Sequence, residues 1–174
     1  RLRARFPQAC IVVSTMTNTG QLMALERMKG KADAVIYVPW DSFGATRRAV
    51  STIKPDVLVL EYTEIWPNLI HAAHAAGCKL VLTNGRFSQQ HLPKYSLLFS
   101  LIGNSLLSFD RLLMRSEDEA ERVSQLKAPR DRVFVTGNTK FDAMTPSVAA
   151  PKDSTLQAAL GLQPDDRVLI LGST

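Results

Sequence analysis

Three short polar islands hold most of the residues able to do chemistry: Glu61-Tyr62-Thr63-Glu64-Ile65-Trp66-Pro67-Asn68, Asn84-Gly85-Arg86-Phe87-Ser88 and Gly137-Asn138-Thr139-Lys140-Phe141-Asp142. Each directly follows an apolar run. In the second island, Asn84 and Gly85 permit unusual backbone angles that hold Arg86 outward, with Ser88 beside it. A planar guanidinium there suits bidentate binding of phosphate or carboxylate, although an Arg in a surface turn is ordinarily just solvated. In the third, Gly137 and Asn138 give room for close ligand approach and Lys140 offers a point charge to an anion; the bland reading is an interdomain turn. In the first, Glu64 could orient a sugar hydroxyl, act as a base, or simply complement a helix N-terminus, and Trp66 makes a carbohydrate-facing surface plausible.

Two further stretches stand at comparable places. Ser14-Thr15-Met16-Thr17-Asn18-Thr19-Gly20 puts hydroxyls and a glycine between a strand and a helix. That arrangement can present N–H groups and a helix dipole to an anion, or be a plain helix cap. It lacks the Gly-Lys-Ser ending of a phosphate-binding P-loop. Asp41 most simply caps the helix that follows it. His71 and His74 are three apart on one helix but have no Cys or Asp partner nearby, so no metal site is read.

The elements that must position these groups alternate. Apolar runs rich in Val, Ile and Leu at 9–13, 34–37, 57–60, 80–82, 111–114 and 133–136 read as strands covered on both faces. Helical spacing fills 19–29, 43–53, 68–76, 94–107 and 117–126. Pro67 suits a first helical turn, Ser116 with Glu119 has capping-box spacing, and Gly30 and Gly77 stop helices. Such alternation predicts an α/β fold, a doubly wound, mostly parallel Rossmann-like sheet whose islands all emerge at one edge. Residues 143–153 have linker composition, 155–162 reads as one amphipathic helix, and 167–174 as a buried strand opening a second domain. The domain reading is therefore 1–142, a linker at 143–166, and a first strand at 167–174. The first residue is Arg rather than Met, so the chain reads as part of something longer.

With 174 residues and 45% apolar content, the chain can bury a proper core. A net charge of +5 and a pI near 9.5 favour an anionic partner, whether nucleic acid, phospholipid or a charged small molecule. Cys10 and Cys78 adjoin strand-like runs and read as buried reduced thiols. No apolar stretch reaches the roughly 20 residues of a membrane-spanning helix. The segment 94–109 is apolar around most of its circumference, which predicts core burial or, with Lys79, Arg86 and Lys94 near it in sequence, contact with anionic lipid.

In combination and order these islands resemble the N-terminal domain of the 3-deoxy-D-manno-octulosonic acid (Kdo) transferases. The resemblance rests on Ser14 to Gly20, a Thr-rich stretch ending in Thr-Gly, on Val38-Pro39-Trp40-Asp41, on Thr63-Glu64-Ile65-Trp66-Pro67-Asn68 and on Gly137-Asn138-Thr139-Lys140-Phe141-Asp142. The chain departs from the family's pattern at Tyr62, where the family usually has Glu, and at Gly85, where it usually has Ala. The resemblance implies a GT-B glycosyltransferase of lipopolysaccharide synthesis, inverting and metal-independent, that moves Kdo from the donor CMP-Kdo to a lipid A precursor. It implies no cofactor beyond that donor and no nucleic-acid partner. Glu64, Arg86 and Lys140 become the expected catalytic residues. Ser14, Thr15, Thr17, Thr19, Gly20, Asp41, Asn84, Ser88, Gly137, Asn138 and Ser173 become the expected substrate-binding residues. It further implies a membrane anchor and a Gly-Glu segment supplying the base ahead of Arg1, a nucleotide-binding domain beyond Thr174, and a soluble, inactive fragment working at the cytoplasmic face of the inner membrane. The competing readings are a non-catalytic anion- or nucleic-acid-binding Rossmann domain and a nucleotide-sugar epimerase.

Overall fold

The apolar runs form parallel strands, yet not all are covered on both faces as expected. Leu80, Leu82, Leu112 and Met114 are buried, whereas Val12, Val57 and Val59 stay exposed in alternation along their strands, where the described helices bury only the other face. In the computed structural model, which describes residues 2–143, 154–161 and 163, a short helix α1 (Leu2–Arg5) precedes β1 (Val12–Thr15), α2 (Asn18–Arg27), β2 (Ala34–Tyr37), α3 (Phe43–Ile53) and β3 (Val57–Glu61). Then follow α4 (Pro67–Ala75), β4 (Lys79–Gly85), α5 (Leu92–Ile102), β5 (Arg111–Met114), α6 (Glu117–Gln125) and β6 (Val133–Val135). One compact unit spans Arg1–Gly137; a second, Asn138–Thr174, contains the 3-10 turn Thr139–Ala143 and α7 (Ser154–Ala159). The expected strand at 167–174 and the site residue Ser173 lie outside the described residues.

All strand pairings are parallel, but the single sheet expected is two hydrogen-bonded ladders, β1-β2 and β3-β4-β5-β6. Helices and side chains join them instead of a strand pairing. Helix α3 buries Thr46 and Val50, one turn apart on the face turned to α4, while Val38 beyond β2 packs on the core of the larger ladder. That core is built from Leu80, Leu82, Leu112 and Met114 of the strands, Ile70 and Ala73 of α4, and Val123 of α6. Phe87, Leu106 and Phe109 complete it.

Several boundaries differ from those the pattern predicts, for local reasons. Strand β1 starts at Val12 and takes in polar Ser14 and Thr15, which pair with Ile36 and Tyr37. Cys10 therefore precedes the strand and is exposed, correcting the expectation of a buried thiol; Cys78 is buried as expected. Helix α5 ends at Ile102, because Gly103 (φ 90°) leaves the helical region. Asn104 then caps a separate 3-10 turn, Ser105–Ser108.

Where the strands begin, two aspartates carry out the same task. Asp33, just before β2, accepts a 2.6 Å hydrogen bond from the Ile11 amide and pairs with Arg3. Asp110, just before β5, accepts from the Leu80 amide at 2.9 Å and pairs with Lys79 at 3.0 Å. Each tethers the start of one strand to its neighbour, and in each the backbone N–H, then the cation, holds the carboxyl below its ordinary value. A lowered folded-state pKa gives stability that is complete above the unfolded carboxylate value near ~3.9 and lost as pH falls through the folded value. We expect the urea midpoint to be flat above about pH 5 and to drop below about pH 4. Asp110→Asn should lower the plateau and shrink the acid drop; an unchanged acid limb would remove Asp110 from the account.

Candidate functional site

Parallel strands deliver their following loops to one edge, and here that edge is built by backbone bonds between islands. Tyr62, in the left-handed region (φ 55°), donates its amide to Thr83 O and accepts from the Arg86 amide at 3.3 Å, so the first two islands are locked side by side. Asn84, also left-handed (φ 51°) and buried, coincides with a register shift between Leu82 and Gly85 that lets β4 run on to meet Met114. The Asn84 amide group and the Thr83 hydroxyl both donate to Glu61 Oε1, at 3.2 and 3.3 Å. Glu61 is thus a strand-to-strand tie, and Glu64 is the freer acid of that island.

Glu64 is exposed, and its Oε2 accepts from the Trp66 indole at 2.7 Å. Trp66 itself is half-buried against the core, so it orients Glu64 more than it offers a sugar-stacking face. Pro67 occupies the first turn of α4, as its fixed φ predicts, but Trp66 at the N-cap supplies no side-chain bond. Asp41 fills that role from 27 residues away. Its Oδ1 accepts from the Leu69 amide at 2.8 Å, its Oδ2 from the Asn68 amide at 3.3 Å, and its carbonyl from Asn68 Nδ2 at 2.7 Å. The expectation that Asp41 caps its own following helix is therefore corrected: Ser42 is the N-cap of α3, and Asp41 reaches across to α4.

Arg86 is exposed, and among the described residues its guanidinium has no ion-pair partner. Its loop is held by groups that sequence reasoning missed. Glu119, 5% exposed, accepts from the Phe87 amide through Oε2. Its Oε1 pairs with Arg115 at 3.1 Å and with Arg122 at 3.5 Å, and Arg122 donates to Phe87 O at 3.4 Å. Both polar atoms of the Phe87 peptide backbone are thus bound by one buried ionic cluster. The capping-box spacing forms only in half: Ser116 accepts from the Glu119 amide, while the Glu119 carboxylate goes to Phe87.

The remaining expected residues divide. Thr17 is the N-cap of α2, accepting from the Gly20 amide at 3.0 Å, and Thr15 bonds Gln21 at 2.6 Å. Ser14 and Thr19 are exposed at the end of β1 and the start of α2, and Ser88 is half-buried at the end of the Arg86 loop. Gly137 (φ 81°) follows β6, whose end is fixed by Thr136 donating to Met114 O at 3.0 Å. Asn138 and Lys140 belong to the second unit, where Asn138 Oδ1 accepts from the Lys140 amide at 3.1 Å. At Gly85, a methyl would lie 2.5 Å from Met114 Sδ, so the glycine here and the bulky Met114 go together. The cluster around Glu119 predicts that Glu119→Ala, which takes the ion-pair partner from Arg115 and the acceptor from the buried Phe87 amide while Arg122 keeps Asp118 and Phe87 O, lowers unfolding free energy by roughly 2–3 kcal/mol. Glu121→Ala on the exposed face of α6 should stay within about 0.5 kcal/mol. Urea denaturation of both variants checks this.

Comparison with known proteins gives one consistent result. Residues 1–143 match the family described as 3-Deoxy-D-manno-octulosonic-acid transferase (kdotransferase). A bifunctional glycosyltransferase/methyltransferase of Fusobacterium nucleatum is 31% identical over 94% of this chain and 26% of its own length. A 3-deoxy-D-manno-octulosonic acid transferase of Chlamydia trachomatis serovar D is 27% identical over 99% of this chain and 40% of its own. The chain therefore spans about a quarter to two fifths of the curated relatives it matches. Among solved structures, a UDP-N-acetylglucosamine 2-epimerase superposes with TM-score 0.59 at 16% identity, covering 87% of this chain and 46% of that one. The UDP-GlcNAc 2-epimerase of Neisseria meningitidis bound to UDP-GlcNAc gives 0.56 at 17%, covering 88% and 45%. At that identity they show the fold, a Rossmann-like half of the GT-B type.

Proposed function

The chain belongs to the 3-deoxy-D-manno-octulosonic-acid transferase family, and from that premise we propose that its strand edge forms the acceptor side of an inverting, metal-independent transfer of Kdo from CMP-Kdo to a lipid A precursor. The observation that carries the reading is the state of Arg86: an exposed guanidinium with no ion-pair partner among the described residues, on a loop whose backbone is fixed on one side by Tyr62 and on the other by the Glu119 cluster. A cation held in place before the reaction costs little reorganisation when negative charge develops opposite it.

In the transfer, an acceptor hydroxyl oxygen bonds to the anomeric carbon of Kdo while the bond from that carbon to the CMP phosphate breaks. The bonding pair leaves with the phosphate, and the hydroxyl proton passes to a carboxylate base, which the family resemblance assigns to a Gly-Glu segment. Arg86 faces the anionic partner in this account, either the departing phosphate or the Kdo carboxylate. For Lys140, which belongs to the second unit, a catalytic role rests on the family resemblance alone. Glu64 has one oxygen engaged by Trp66 and directs the other to the acceptor hydroxyl. The exposed hydroxyls of Ser14 and Thr19 serve the acceptor's phosphates, while Thr17 and Asp41 act by fixing the helices that start at this edge.

In the intact enzyme, Arg86→Ala should lower kcat/KM by about 10²–10³ without moving Tm, since removing one preorganised charge partner has that order of effect. Arg86→Lys should recover only part, for lack of the fork. Glu64→Ala should likewise abolish most transfer with the fold intact. Mass-spectrometric detection of Kdo-bearing product gives the readout; wild-type turnover in both alanine variants would overturn the assignment.

A further inference from the structure

Trp40 is the most exposed large apolar side chain among the described residues, at 87%, and among them its indole makes no hydrogen bond or ring contact. Its backbone, by contrast, is fixed from both sides. Val38 donates its amide to Thr15 O at 2.9 Å, Pro39 has a locked φ, and the Trp40 carbonyl accepts from the Ser42 amide at 2.7 Å. Asp41, the next residue, is bound to the first turn of α4. Glu64 is tied to the same helix start through Trp66, its N-cap. A bare indole on fixed backbone has few torsions left to lose when something seats on it, so the fold holds a ready aromatic platform at the edge where Glu64 stands.

The surroundings decide what it holds. Between Asp41 and Asp56 the chain carries Arg47, Arg48 and Lys54 and no acid. Among the described residues the Arg47 guanidinium has no ion-pair partner, and it lies 5.6 Å from the centre of the Phe43 ring. Phe43 and Asn68, in the first turns of α3 and α4, and Arg47 and His71, one turn further on, line the site end of a groove of about 330 Å³ between the two helices. A protein seated on Trp40 would cover the edge on which Glu64 and Arg86 are exposed, and a purely apolar ligand would leave Arg47 unmatched. A phosphorylated sugar meets every demand: the negative face of an aromatic ring attracts the polarised C–H groups of a sugar face, and a guanidinium takes a phosphate. We propose that Trp40 is the platform for a sugar ring of the acceptor, a phosphorylated hexosamine, with one of its phosphates turned to Arg47. The inference rests on the reading above that the acceptor meets this edge, and it adds where the ring sits. Trp40 thereby sets acceptor affinity and specificity while taking no part in the bond exchange.

The whole 174-residue chain has two tryptophans, so 5-fluorotryptophan labelling gives two fluorine NMR signals, which Trp40→Phe assigns. N-acetylglucosamine 1-phosphate should move the Trp40 signal saturably, and inorganic phosphate should leave it in place. Arg47→Ala should weaken binding of the phosphorylated sugar about fivefold and hardly change that of unphosphorylated N-acetylglucosamine. In the intact enzyme, Trp40→Ala and Trp40→Leu should each raise KM for the acceptor about tenfold with kcat kept, whereas Trp40→Phe, which keeps a ring, should stay near wild type. A Trp40 signal that ignores the sugar, or that moves only with phosphatidylglycerol vesicles or with protein concentration, would overturn the proposal, and so would an unchanged KM in Trp40→Leu. An intact enzyme that forms no Kdo-bearing product while the Trp40 signal still answers to the sugar would refute the transfer reading and support the platform.

Discussion

The arrangement of this molecule depends on one carboxylate. Asp41 leaves the end of the two-stranded ladder and caps α4, which belongs to the four-stranded ladder, taking the amides of Asn68 and Leu69 while its own carbonyl receives the Asn68 side chain. No strand pairing joins the two ladders among the described residues, so this cap, the α3–α4 packing around Thr46 and Val50 and the contact of Val38 with the larger ladder's core are what align them. Pro67 and Asn68 make sense in that light. Proline removes an amide that would have no partner in the first turn, and Asn68 supplies a donor for the only carbonyl Asp41 has to spare. The polar island after β3 therefore reads as one device with the loop after β2.

A second buried ionic device, Glu119 with Arg115 and Arg122, does for the Arg86 loop what Asp41 does for α4. Both draw charged groups from an element distant in sequence to hold backbone at the edge where the strands end. The exposed groups, Arg86 and Glu64, the latter with one oxygen bound by Trp66, then project from a frame whose backbone is already fixed. The aspartates at the opposite edge, Asp33 and Asp110, are tied into strand starts and offer no open carboxylate.

Much of this was legible in the sequence, and the parts that were not share a cause. The order of strands and helices followed from apolar runs of strand length, but the double cover those runs imply did not: Val57 and Val59 stay half exposed. Strands 34–37 and 111–114 and helix 43–53 came out as their patterns imply, whereas β4 reached Gly85 because polar Thr83 still pairs with Glu61 and, past the irregularity at Asn84, Gly85 pairs with Met114. Arg86 was visible through its Asn-Gly pair, though Asn84 and Gly85 end β4 instead of forming the expected turn, and only Asn84 is left-handed. Asp41 and Glu119 were each read as local helix caps, and each bonds a backbone far along the chain. Local capping rules see the donor type but not the fold that brings another helix or loop within reach. The apolar excess of α5 was seen, while which half of it the core would take needed Gly103, Tyr95 and Phe87 in place.

Hydrogen exchange read by mass spectrometry on Asp41→Ala tests the central claim most directly. If this carboxylate fastens the ladders together, protection should fall jointly at Asn68 and Leu69, along α3 and in β1 and β2, with β4 and β5 keeping theirs. Faster exchange confined to Asn68 and Leu69, with β1 and β2 as protected as before, would show a local cap only and contradict the account.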